Sequence, residues 1–582
     1  MDTIKSFKGY GKVDPAEEAA FRKKTRKRLI ILLVSVLVLV VIIVGAAAGT
    51  ILHNNNNSKS SSKPPSSATS SAAALKAVCK VTQYPDSCYS SISALNLKNT
   101  TDPEELFRIS LRVVMDSIQS LSSTLAAKKN TTTAKKALEV CQIVLDDALD
   151  RLNDTLSSME ASGEAGQKKN KILSLTKLDD LKTWLSTTIT DQETCVDALG
   201  ELNATALIGD SMNKPAQHAS NSLSIVAKIL GVLAKFDVPG NRRLLGIGHT
   251  AGHGFPEWVS SGDRRLLQEA NPTPDVTVAK DGTGDCTTIG EAVGKIPKKG
   301  INRFVIYVKA GEYMENNILD KSMWNVMIYG DGKDKTIVSG NLNIIDGTLT
   351  FSTATFAAVG KGFMAKDMAF KNTAGAEKHQ AVAFRSGSDF SVFYRCNFDA
   401  FQDTLYAHSN RQFYRECDIT GTIDFMFGNA AVVFQNCNIQ PRQPLANQFV
   451  TITAQGRKDP NQNTGISIQK CTISALGEVN APVYLGRPWK DFSTTVIMQS
   501  NIEAIVKPLG WIEWVSGVEP PSTILYAEYE NTGPGAALEG RVKWAGYRVP
   551  FTAEQASKFS VESFIQGSTW LPATNVVFDS TL

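Results

Sequence analysis

At 582 residues the chain exceeds one ordinary domain, and 42% hydrophobic with 20% charged residues allows a large core. The formal net charge of +4 hides an asymmetry: residues 1–267 hold 33 Lys and Arg against 26 Asp and Glu, whereas 268–582 hold 28 against 31. Neither part argues for nucleic-acid binding, and nine cysteines are too few for a disulfide scaffold.

Residues 1–28 end in the basic run FRKKTRKR, and 29–52 follow as LIILLVSVLVLVVIIVGAAAGTIL, 24 residues without a charge. That length spans a bilayer core of about 30 Å as a helix. It predicts a transmembrane signal anchor with a cytosolic N-terminus and a lumenal remainder, the membrane being touched only here. Residues 53–72 are a Ser/Asn-rich linker whose composition cannot bury a core.

From 73 to 236 apolar residues recur at three and four spacing with few Gly or Pro inside, as in ISLRVVMDSIQSLSSTL and LDDLKTWLSTTITDQETCVDAL. Four such segments predict an all-α four-helix bundle. Cys79 and Cys88 bracket the turn sequence KVTQYPDS and are placed to staple a short hairpin; Cys141 and Cys195, on different predicted helices, are the other disulfide candidates here. No catalytic cluster is visible in this region. Asn56, Asn99, Asn130, Asn153 and Asn203 each begin an Asn-X-Ser/Thr acceptor for N-glycosylation, and none follows residue 267.

Residues 237–270 lose the helical period and carry one tetrapeptide twice, Arg242-Arg243-Leu244-Leu245 and Arg264-Arg265-Leu266-Leu267. Paired arginines in a Gly-rich connector are what a processing protease can reach.

Between 271 and 582 short runs of Val, Ile, Phe and Thr alternate with turn residues. Aligning the chain with itself puts Cys396 of VFYRCNF, Cys417 of FYRECDI, Cys437 of FQNCNI, Cys471 of ISIQKCTI and Ser500 of MQSNI in one slot, at steps of 21, 20, 34 and 29 residues. A strand recurring at such uneven intervals fits the coils of a parallel β-helix, whose loops differ in length. Neighbouring coils lie about 4.8 Å apart, within the Cα separation a disulfide tolerates. Cys417–Cys437 is therefore an expected bridge, with Cys437–Cys471 the competing pair.

The chemistry gathers in Ala400–Ala430, AFQDTLYAHSNRQFYRECDITGTIDFMFGNA. Asp403 and Asp424 are 21 residues apart, and Gln380, Gln402 and Asp424 follow at steps of 22. On successive coils the two carboxylates come to roughly 5 Å, among Phe401, Leu405, Phe425 and Phe427. Like charges that close push their pKa values apart, so one serves as acid and the other as base. Gln380 and Gln402 add neutral amide donors for an oxyanion. Neighbouring strand residues face opposite ways, so Gln402 and Asp403 share a site only if the backbone bends between them. VYLGRPWK brings Arg487, a forked partner for a carboxylate, beside Trp489; GWIEW brings Trp511 and Trp514, aromatic faces for a sugar.

GEYME, QAVAFR, FQDTLY, GTIDFMFGNA, YLGRPWK and GWIEW, in this order and spacing, resemble the plant pectin methylesterases, carbohydrate esterases on a right-handed parallel β-helix. The helical region with its four cysteines resembles the pectin methylesterase inhibitor domain, and the two RRLL sites resemble subtilase processing sites. The resemblance implies an all-β right-handed parallel β-helix catalytic domain over 271–582, preceded by an all-α four-helix-bundle inhibitor-like pro-domain. It implies Asp424 as nucleophile, Asp403 as proton donor, Gln402 as transition-state stabiliser with Gln380, and Arg487 as orienter of the nucleophile. Substrate contacts carried over are Thr350, Gln380, Arg487 and Trp489. The substrate would be methyl-esterified homogalacturonan of the plant cell wall, reached by secretion through ER and Golgi after membrane insertion. Implied partners are a subtilase-type protease and separate inhibitor proteins; no metal or cofactor is implied.

Two other readings bear on the same residues. Carboxylates about 5 Å apart also serve retaining glycoside cleavage, and a non-enzymatic inhibitor or carbohydrate-binding protein would put the function in the helical region.

Overall fold

The computed structural model describes residues 67–95, 100–128, 134–161, 174–231 and 272–582. Within the last of these, strands of two to six residues pair only in parallel, in sheets of 11, seven and eight strands. Each coil visits the three sheets in turn. One coil, for example, runs through Leu405–Ala407, Arg411–Arg415 and Asp418–Gly421 before Met426–Gly428 begins the next, directly over Leu405–Ala407. This is a parallel β-helix.

The register confirms the slot alignment. Asn397, Asp418, Asn438, Thr472 and Asn501 are successive partners, so Cys396, Cys417, Cys437, Cys471 and Ser500, each one residue earlier, stack. The residues just before the slot, Arg395, Glu416, Asn436, Lys470 and Gln499, all have φ between 51° and 55°. This left-handed turn swings the chain from one sheet to the next at every coil. Aromatic residues fill the interior in ladders: Phe393 lies on Tyr414 at 4.3 Å between ring centroids and Tyr414 on Phe434 at 4.6 Å.

The expected Cys417–Cys437 bridge is absent, as is Cys437–Cys471; Cys286, Cys396, Cys417, Cys437 and Cys471 are all free and buried. In-register side chains on parallel strands keep the strand spacing of about 4.8 Å at Cβ, longer than the roughly 3.5–4.5 Å a disulfide needs. The Cα distance alone was too lenient a criterion. The thiols instead donate to carbonyls of the preceding coil, Cys417 to Phe393 O at 3.4 Å and Cys471 to Phe434 O at 3.4 Å.

The helical region folds as expected. Pro103–Lys128, Lys135–Ala161, Leu175–Glu201 and Asn213–Ile225 pack around a core that includes Phe107, Val114, Leu145 and Leu185. Disulfides Cys79–Cys88 and Cys141–Cys195 staple the leading hairpin and tie the second long helix to the third. The first helix begins at Ser67, inside the stretch expected as linker, because SATSSAAALKAVCK is rich in the strongest helix former. The membrane-spanning expectation is withdrawn: among the described residues no helix is long and apolar enough to cross a membrane. The stretch on which it rested, 29–52, lies outside the described residues, as do Asn56, Asn99, Asn130 and all of 237–270 with both RRLL sites. Asn153 and Asn203 are described and exposed.

The described residues from Ser70 to Leu582 form one compact unit in which the bundle lies on the β-helix. The Leu175–Glu201 helix supplies much of the contact through a Thr- and Ser-rich face, while Lys135–Ala161 and Asn213–Ile225 add the pairs Asp146–Lys321 and Ser220–Asp459. Thr190 and Thr194 donate to carbonyls four residues earlier, satisfying their hydroxyls within the helix. Small self-satisfied side chains let the helix approach closely. Trp184 then donates to Asp389 at 3.1 Å, Thr187 to Asn410 at 2.9 Å, and Asn429 to Thr190 at 2.9 Å. Arg411, fully buried, grips Asp389 and also reaches Asp180 on the helix at 2.8 Å.

Candidate active site

Asp403 and Asp424 stand two residues before Leu405 and Met426, which are register partners, so the carboxylates are stacked one strand spacing apart. Both are nearly buried, at 8% and 4% exposure. Both also have left-handed backbone, φ 63° at Asp403 and 51° at Asp424. This is the bend that the strand alternation required: a left-handed residue breaks the alternation and turns Asp403 into the cleft beside Gln402. Asp tolerates the conformation better than most residues because its short polar side chain bonds locally.

One cavity of about 410 Å³ is lined by Thr350, Gln380, Gln402, Asp403, Asp424, Arg487 and Trp489, every residue expected for catalysis or substrate contact. Of the four apolar neighbours expected around the aspartates, only Phe427 lines it. Leu405 and Phe425 point into the β-helix core, and Phe401 lies under the Arg442 guanidinium at 4.1 Å. The two tryptophans of GWIEW divide in the same way. Trp514 lines the cavity and stacks 6.3 Å from Trp489, whereas Trp511 is buried and donates to Glu528 at 3.1 Å.

The two carboxylates have different company. Arg487 holds Asp424 with a fork, Nη2 to Oδ2 at 2.6 Å and Nε to Oδ1 at 2.9 Å. Thr451, which carries no sequence signal, donates to Asp424 Oδ1 at 2.7 Å and accepts the Asp424 amide at 2.9 Å. Asp403 has no such cation of its own. Burial first, then the negative charges of Asp424 and Glu201, push its pKa well above the usual carboxylate range, with Arg487 pulling the other way. One carboxylate is thus clamped by a cation while burial and negative charge favour the protonated form of its neighbour, so the stacked pair is chemically unequal.

The far wall of the cavity belongs to the bundle. Thr194, Asp197, Ala198 and Glu201 of the Leu175–Glu201 helix line it, and Glu201 accepts the Thr350 amide at 3.0 Å. Lys490, next to Trp489, pairs with Asp197 at 2.6 Å and Glu193 at 3.4 Å. The apolar core of the bundle runs without a break into the cleft wall through Phe351, Val382, Tyr406 and Phe427. Tyr406, which was not among the expected neighbours, also lines the cavity; it follows Asp403 by three as Phe427 follows Asp424, and the two rings stack at 4.2 Å.

Residues 275–568 match the Pectinesterase family and residues 73–225 the plant invertase/pectin methylesterase inhibitor family. The chain is 59% identical to Pectinesterase 3 of Phaseolus vulgaris, over 100% of both chains. The chain belongs to the pectinesterase family. It is also 58% identical to Pectinesterase 1 of Arabidopsis thaliana over 99% of each. Among solved structures, pectin methylesterase from carrot is 50% identical with a TM-score of 0.53, covering 54% of this chain and 100% of its own. The β-helix is thus the esterase domain, a carboxylic ester hydrolase, and the bundle is its inhibitor-like companion. The carrot chain is matched in full by just over half of this one, and the β-helix here has a core of its own, so the esterase domain is a self-sufficient folding unit.

Proposed function

We propose that the esterase domain hydrolyses methyl esters of homogalacturonan through an aspartyl acyl-enzyme, and that the bundle holds it inactive until the chain is cut. The observation that carries the first part is the unequal treatment of the stacked pair, with the Arg487 fork on Asp424 alone. The Asp424 carboxylate held by Arg487 attacks the ester carbonyl carbon, and the oxyanion forms where Gln380 and Gln402 offer amide donors. As the intermediate collapses, Asp403 gives its proton to the departing methoxide and methanol leaves. The Asp403 carboxylate then takes a proton from water, which attacks the galacturonoyl carbonyl of the mixed anhydride; the galacturonic acid departs and loses its proton to solvent, Asp424 is restored as carboxylate and Asp403 is again protonated.

The second part is supported by the Leu175–Glu201 helix, which walls the cleft where substrate must lie. Cutting by a subtilase-type protease at Arg242–Leu245 or Arg264–Leu267 separates the two domains in the chain. The bared face then suits a separate inhibitor protein of the same helical fold. Two disulfides and the exposed sequons at Asn153 and Asn203 fit secretion to the cell wall, where this family acts.

Purified 272–582 fragment with pectin tests the reading. It should release methanol without new reducing ends, and Asp424→Ala should abolish release. New reducing ends would support glycosidic cleavage instead, and an uncleaved chain as active as the fragment would refute inhibition by the bundle.

A further inference from the structure

The covering helix presents its acids in a pattern. Glu193, Asp197 and Glu201 are four residues apart, so they lie on one face at steps of about 6 Å along the axis. That face is turned to the cleft, where Asp197 and Glu201 line the cavity. Two of the three carboxylates converge on Lys490, and among the described residues both ion-pair partners of this lysine belong to the bundle. Its side chain is only 15% exposed with the helix in place. When the helix leaves, a cation that no carboxylate of the esterase domain pairs with stands open at the rim of the cleft.

Its neighbours connect it to the chemistry. Lys490 Nζ lies 5.2 Å from the Trp489 ring centroid, Trp489 stacks on Trp514, and the Arg487 guanidinium sits 4.3 Å from the Trp514 centroid while gripping Asp424. An aromatic platform therefore runs from the nucleophile to the free ammonium. The ligand chemistry that Lys490 accepts is already visible, because carboxylates occupy it.

We infer that Lys490 is a specificity-determining residue that binds the ionised carboxylate of a de-esterified galacturonate beside the sugar whose ester reacts, and that Glu193 and Asp197 mimic this carboxylate in the uncut chain. The inference rests on the reading given under Proposed function. Its consequence is directional: each turnover creates a free carboxylate, which makes the adjoining ester a better substrate. The esterase domain is formally acidic overall, so this local cation is what draws a polyanion to the cleft.

The test uses the 272–582 fragment and two galacturonate oligomers of equal length, one fully methyl-esterified and one with alternate free carboxylates, with methanol as readout. The unsubstituted fragment should favour the partly de-esterified oligomer in kcat/KM. Lys490→Gln should reduce that preference about tenfold, chiefly by raising KM for the charged oligomer, the size expected for losing a charge-assisted hydrogen bond. Lys490→Glu should reduce it further, Lys490→Arg should restore it, and added salt should erode it in the unsubstituted fragment. A preference that is the same in Lys490→Gln as in the parent, or that changes through kcat alone, overturns the inference. Failure of the parent to release methanol from either oligomer would instead overturn the esterase mechanism on which it rests.

Discussion

Arg487→Gln is the substitution whose effect the site geometry constrains most tightly. The guanidinium makes two hydrogen bonds of 2.6 and 2.9 Å to Asp424, with the two side chains only 16% and 6% exposed. Each of two hydrogen bonds to a charged group is worth about 1.5–3 kcal/mol, and because the fork aims the attacking carboxylate its loss is felt in the transition state. Partial exposure and the remaining Thr451 bond put this case at the lower end. About 3 kcal/mol corresponds to a rate loss of roughly a hundredfold at 1.36 kcal/mol per decade. The assay is methanol release by the 272–582 fragment over a range of pectin concentrations, with kcat and KM separated. The loss should fall mainly on kcat, because the fork aims the nucleophile. Arg487→Lys restores charge but not the planar fork, and should recover about tenfold of the deficit. A fragment carrying Arg487→Gln with kcat within fivefold of the parent would refute the assignment of the fork to nucleophile orientation.

Thr451→Val removes a hydroxyl that both donates to Asp424 and accepts its amide, at near-constant volume; methanol release should fall about tenfold or more while the folded circular-dichroism spectrum is retained. Thiol titration of the denatured, unreduced chain should find five free cysteines, and three would mean that a bridge had formed in the ladder. Docking of the bundle should weaken as pH rises. Burial raises the pKa values of Asp180, Asp197 and Glu201, which face Arg411, Lys490 and Thr350 of the esterase domain, so the docked state holds protons that the separated bundle gives up, and this contribution is lost as pH passes through the raised values. His408, lowered to about 3 by burial against the same helix, opposes docking only below the ordinary histidine range. Methanol release by the uncleaved chain, expressed relative to the fragment, should therefore increase as pH is taken upward from the top of the ordinary histidine range, where His408 no longer contributes; a ratio flat with pH would contradict this.

Much of the β-helix was legible because its repeat is a matter of spacing. Asp403 and Asp424 differ by the same 21 residues as their register partners Leu405 and Met426, and the cysteine slot survived loops that lengthen a coil to 34 residues. What spacing does not carry is direction. The left-handed φ at both aspartates decides that Asp403 joins Gln402 in the cleft while Leu405 and Phe425 turn inward; Asp tolerates that conformation but seldom adopts it, so residue type alone does not announce it. The disulfide expectation failed for a related reason: in-register thiols on parallel strands share a direction and keep their distance. Trp511 and Trp514 stand three residues apart in one motif, yet one is core and the other cleft. The docking face of the Leu175–Glu201 helix was hidden because it is made of Thr and Ser, which leave no apolar stripe. Lys490 and Thr451 became visible only through what they touch.

The aspartyl mechanism requires that Asp424 form a covalent bond to the substrate. Asp403→Asn in the 272–582 fragment cannot activate water, and an oligogalacturonate ester with a leaving group that needs no protonation allows acylation to proceed without the acid. Mass spectrometry of the acid-quenched, digested fragment should then find the galacturonoyl adduct on the peptide that contains Asp424. An unmodified Asp424 peptide, with the leaving group released at the rate of the parent fragment, would contradict the aspartyl mechanism.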